Sequence, residues 1–114
     1  DLPQSIASDG KTVFWTNFSG LSAMSCPVEG CVGAPTVLAK GAGWYDGIAV
    51  DDEYVYFTGG DGSADALLRC PKSGCAGAPT VLAKGLTRPG KIAIDARAVY
   101  WTASYSGFVS RIAK

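Results

Sequence analysis

An all-β chain of tandem four-stranded units is the architecture this sequence predicts, and three observations predict it. The segment Cys26 to Gly41 recurs from Cys70 to Gly85 at an offset of 44 residues, with changes only at Val28/Lys72, Glu29/Ser73 and Val32/Ala76. A shorter block, Ile-Ala-x-Asp, occurs three times, ending at Asp9, Asp51 and Asp95. Each copy is followed, after three intervening residues, by a β-branched and aromatic run: Val13-Phe14-Trp15-Thr16, Val55-Tyr56-Phe57-Thr58 and Val99-Tyr100-Trp101-Thr102. Such runs favour extended backbone. A repeat of roughly 40 to 50 residues holding four short strands is that of a β-propeller blade, because one such sheet must stack on a neighbour to bury its faces.

Taken in order through the second repeat, strand A is expected around Ile48 to Val50, B around Val55 to Thr58, C around Ala66 to Cys70 and D around Thr80 to Ala83. Turn-forming residues separate each pair. No segment sustains a helical period. The chain 1–114 therefore reads as one propeller segment: blade 1 over about 5–41, blade 2 over about 47–85 and a partial blade 3 over about 91–114. Blade 3 lacks the outermost strand, and Ile112 stands where the other blades have a cysteine.

Composition limits what such a segment does. A hydrophobic fraction of 47% suffices for a packed core. Ten basic and ten acidic residues cancel, which leaves no basic field for nucleic acid or an anionic membrane. Histidine is absent, so His-based triads, His-ligated zinc and imidazole bases are excluded. No apolar stretch reaches the roughly 18 residues of a membrane span. Asp1-Leu2-Pro3-Gln4 carries no signal-peptide pattern, so any export signal is expected to have been removed.

The four cysteines form two Cys-x4-Cys pairs, Cys26 with Cys31 and Cys70 with Cys75, at equivalent places between strands C and D. Pro27 or Pro71 and Gly30 or Gly74 suit a tight turn that brings each pair together as a local disulfide. Equivalent loops of neighbouring blades stand apart, which disfavours one shared zinc site, and no cofactor or metal is expected. An oxidising location follows, secreted, periplasmic or at the cell surface. The recurrent Asp9, Asp51 and Asp95 open tight turns and are read as turn caps rather than a ring of cation ligands. Trp15, Phe57 and Trp101 occupy repeat-equivalent strand positions and are read as inter-blade core.

The paired blocks Ile-Ala-x-Asp and Val-Tyr-Trp-Thr resemble the YWTD-type six-bladed propellers of the low-density-lipoprotein receptor family and bacterial secreted six-bladed repeats. The Cys-Pro-x-x-Gly-Cys loop followed by Pro-Thr-Val-Leu-Ala is similar to repeats of secreted myxobacterial-type proteins. Asn17, Gly59 and Ala103 stand where the receptor pattern has its last Asp, so the contacts of that Asp do not carry over. The resemblance implies six blades. Three blades would then close a ring as a head-to-tail homodimer, or as part of a larger propeller.

Residues that break the repeat are free of framework duty. Two connections vary most, B to C and D to the next A, and in an antiparallel blade both lie at one end. Trp44, Tyr45, Asp46, Asp61, Asp65, Arg88 and Tyr105 make up the candidate ligand site there, with rings for stacking and charges for orientation. Asp61 to Asp65 lacks the alternating ligands of a calcium loop. Asn17-Phe18-Ser19 matches the glycosylation sequon. The expected function is a non-catalytic binding or scaffold module recognising a protein or a glycan. The alternatives are a carbohydrate-binding lectin, a fragment of a propeller lyase or hydrolase, and an engineered or excised repeat assembly with no ligand of its own.

Overall fold

The computed structural model describes residues 2–18, 22–41, 44–60, 65–75, 78–103 and 105–114. Strands β1 (Pro3–Ser8), β2 (Thr12–Asn17), β3 (Ser22–Pro27) and β4 (Thr36–Lys40) form one antiparallel meander. A second follows from β5 (Trp44–Val50), β6 (Tyr54–Gly60), β7 (Asp65–Pro71) and β8 (Thr80–Leu86). The third holds β9 (Pro89–Ile94), β10 (Ala98–Ala103) and β11 (Phe108–Ala113). No helix occurs among the described residues. The sheets stack in chain order, β5 against β1 and β2, and β9 against β5 and β6. They are blade-like and form an open arc rather than a closed ring.

The two inter-sheet spaces hold the core. Between the first and second sheets lie Phe14, Leu38, Tyr45, Ile48, Val55 and Phe57. Between the second and third lie Tyr56, Leu67, Val99 and Trp101, flanked by Ile92, Ile94 and Ile112. Strand alternation produces this division, since Val55 and Phe57 point one way and Tyr56 the other. Phe57 and Trp101 are thus core. Trp15, at the same repeat position, lies half-buried on the outer face of the first sheet beside Ile6, which is 72% exposed.

Each junction repeats the same polar fastenings. The Thr16 hydroxyl donates to the Asp46 carbonyl at 2.6 Å, and the Thr58 hydroxyl to the Gly90 carbonyl at 2.7 Å. Both threonines are fully buried, where an unmade hydrogen bond would cost about 1–3 kcal/mol. Lys72 of the second sheet reaches Asp9 of the first at 2.8 Å, and Lys114 of the third reaches Asp51 of the second at 2.8 Å. Gly47 clears the passage of β9 past β5, because a Cβ there would stand 2.4 Å from the Gly90 carbonyl oxygen.

The turns joining strands A and B are identical in construction. Asp9 Oδ1 accepts from the amides of Lys11 and Thr12, Asp51 Oδ1 from those of Glu53 and Tyr54, and Asp95 Oδ1 from those of Arg97 and Ala98, all within 2.8–2.9 Å. These aspartates cap turns. The disulfides Cys26–Cys31 and Cys70–Cys75 close the neighbouring loops, with Cα atoms 5.2 and 5.3 Å apart. Gly30 and Gly74 take φ values of 115° and 109° there, a conformation that only glycine adopts without strain. The second loop also ties two sheets together, for the Cys75 amide donates to the Leu38 carbonyl at 2.9 Å.

Candidate functional site

The end of the blades opposite those turns carries the connections that vary. There the structure brings Trp44, Asp46, Arg88 and Tyr105 around one hollow of about 140 Å³, together with Phe18, Pro89 and Gly90. Trp44 begins β5, Arg88 sits in the two-residue link between β8 and β9, and Tyr105 follows β10. Three sheets therefore contribute to one opening.

Its lining combines three aromatic rings with a carboxylate and a guanidinium. Phe18 and Trp44 stack with ring centroids 6.1 Å apart and 30° between their planes. The Arg88 guanidinium lies 4.9 Å from the centre of the Tyr105 ring, within cation–π range. Asp46 forms an ion pair with Lys91, whose ammonium also donates to the Ser5 hydroxyl at 2.9 Å. A carboxylate and a guanidinium thus line the same hollow as the stacked rings. Arg88 holds φ at 48°, a left-handed conformation that costs a non-glycine residue about 1–2 kcal/mol.

Tyr45, also expected in the candidate site, does not line that hollow. The connection from strand D to the next A is expected to run up to Ile48, whereas β5 begins at Trp44 and pairs with β6 from its first residue. A register shift between Tyr45 and Ile48 then turns Tyr45 inward. It is only 4% exposed, packs against Phe57 with centroids 5.0 Å apart, and burial pushes its phenol above the usual value. Asp65 is likewise buried at the start of β7. Asp61 lies outside the described residues. Phe18 was missed, although its place beside the variable loop and its departure from the repeat marked it. The sequon at Asn17 is sequestered, since the buried amide donates to Ser22 Oγ at 3.0 Å.

A larger hollow of about 600 Å³ lies at the capped end, between the turns at Asp51 and Asp95. Several of its polar side chains already serve the framework. Asp51 Oδ2 accepts from Lys114 and from the Tyr56 hydroxyl, both at 2.8 Å, and Asp95 Oδ2 accepts from the Tyr100 hydroxyl at 2.8 Å. Arg69 lies over the Tyr54 ring at 4.1 Å. Burial opposes the charged form of Asp51, yet Lys114, the Tyr54 and Glu53 amides and the Tyr56 hydroxyl together hold its pKa well below the usual carboxylate range. Asp9 is lowered by Lys72 first, then by the Lys11 and Thr12 amides. Asp95 is lowered by the Arg97 amide, the Tyr100 hydroxyl and the Ala98 amide. Tyr56 is raised by burial and by its bond to Asp51.

Among the described residues no group of three or more acidic, cysteine or histidine side chains is placed to hold a metal ion. No protein-family model matches the chain, and no curated protein matches it.

Proposed function

We propose that the chain is a non-catalytic binding module of a secreted protein, which recognises its ligand through the hollow at the variable end of its blades. The observation that carries this reading is the convergence of Trp44, Phe18, Arg88 and Tyr105, from three separate blades, on one opening. None of these residues is needed to repeat the blade, and Arg88 keeps a costly backbone conformation there. The two disulfides support an oxidising, extracellular-type environment.

A hollow of about 140 Å³ is small beside the roughly 300–1,000 Å³ that encloses a drug-sized ligand. It suits one ring or one side chain of a larger ligand lying across the blade ends. A glycan is favoured over a protein by the combination at hand: stacked rings offer a flat apolar surface, and Asp46 and Arg88 in the same hollow supply hydrogen-bond partners for hydroxyl groups. Binding to an array of immobilised glycans tests this. Retention of one glycan class by the unaltered protein, lost in Trp44→Ala and in Arg88→Ala, supports the lectin form. Binding to proteins alone would leave the module but remove the lectin, and retention of the glycan by both variants would move the site elsewhere.

A further inference from the structure

The two outer faces of the arc are the two halves of a junction that the chain builds twice internally. On the last face, Thr102 stands where Thr16 and Thr58 stand, and Ala93 where Ala7 and Ala49 stand. Thr16 and Thr58 are fully buried and donate to the next sheet, whereas Thr102 is exposed. On the first face, Gln4 holds the position of Asp46 and Gly90, whose carbonyls accept those bonds. Ile6 and Trp15 hold the positions of Ile48 and Phe57, which are core, yet Ile6 is 72% exposed.

We propose that a second copy of this chain covers both faces, the last sheet of each copy against the first sheet of the other, giving six blades around a two-fold axis. The Thr102 hydroxyl then donates to the Gln4 carbonyl of the other copy, as Thr16 does to Asp46. Ile6 and Trp15 enter the second copy's face as Ile48 and Phe57 enter the first space. A symmetric pair of identical contacts is the ordinary route to a closed oligomer.

This junction differs from the internal ones in one legible way. Lys72 and Lys114 clip each sheet to the aspartate of the sheet before it, but the equivalent residue of the first sheet is Val28. Asp95 would therefore meet Val28 of the second copy, with no ammonium to receive. The interface is accordingly open to a gain of function. Val28→Lys places an ammonium against Asp95 Oδ2, beside the Tyr100 hydroxyl that already binds it.

Sedimentation equilibrium across micromolar concentrations tests the arrangement. The unaltered chain is expected to sediment as two copies. Val28→Lys should tighten association about tenfold, since a partly exposed ion pair is counted once at each of two junctions, and Asp95→Asn should abolish the gain. Ala93→Arg should yield monomers, because the added bulk fills the space that Ala7 and Ala49 leave at the internal junctions. Ala93 is exposed, so the β-sheet circular dichroism of that variant should persist. A monomer at tens of micromolar overturns the proposal. So does a dimer indifferent to both Ala93→Arg and Val28→Lys.

Discussion

The two ends of the sheets are built differently. At one end every sheet makes the same turn: an aspartate caps two amides, a tyrosine or lysine completes the carboxylate, and in the first two sheets a disulfide loop lies alongside. At the other end no two connections agree, and Phe18, Trp44, Arg88 and Tyr105 meet there, none of them recurring as the same residue in another repeat. The capped end holds the sheets in register and to one another. The variable end shares in that work through the bonds of Thr16 to Asp46 and Thr58 to Gly90, and on the proposed reading the side chains there that differ between repeats are the ones left for recognition.

Tyr45 is where that division is most sharply tested, because it sits at the variable end and belongs to the framework. Tyr45→Ala should destabilise by about 3–5 kcal/mol in chemical denaturation, the cost of removing a large ring from a packed core. A loss below 1 kcal/mol would return Tyr45 to the surface site. At the capped end, replacing both Cys70 and Cys75 by Ser should cost about 2 kcal/mol, from the freedom restored to a short loop in the unfolded chain. Loss of the Cys75 amide bond to the Leu38 carbonyl should appear as faster hydrogen exchange of the amide at position 75.

Asp51→Ala should cost about 1–2 kcal/mol, since four donors lose their acceptor at the surface of the second junction. The same group sets a pH dependence. Asp9, Asp51 and Asp95 all have pKa values lowered in the fold, so each binds protons more weakly folded than unfolded. Their stabilisation is complete above the ordinary value of 3.8 and is lost as pH falls below it toward the depressed folded values. Denaturation midpoints should be level from pH 7 to about 5 and decline below about 4, less steeply in Asp51→Asn. A flat profile to pH 2 would contradict the caps. Arg88→Gly, the smallest effect, should stabilise by about 0.5–1 kcal/mol by relieving the left-handed backbone, while weakening ligand binding.

Much of the framework could be read from residues alone because its physics is local and repeated. β-Branched and aromatic runs specify β2, β6 and β10, and an aspartate before two free amides specifies each cap. The inward turn of Tyr45 was not legible, since it depends on the register shift between Tyr45 and Ile48, which no propensity announces. The start of β5 at Trp44 was hidden too, because the residues there differ between repeats as those of a connection do. The junction fastenings were present in the pattern but needed a third dimension to be understood. Thr16, Thr58 and Thr102 recur as regularly as the aspartates, and Lys72 and Lys114 share a repeat position. Only the stacking of sheets shows that these residues reach across to a neighbour.

The division of the blade ends is tested most directly by measuring stability and glycan-array retention side by side for Trp44→Ala and Asp51→Ala. Trp44→Ala is expected to unfold within about 1 kcal/mol of the unaltered protein and to lose its glycan, while Asp51→Ala loses stability and, wherever it remains folded, keeps the glycan. The opposite pairing, with Trp44→Ala still binding and a folded Asp51→Ala not, would contradict it.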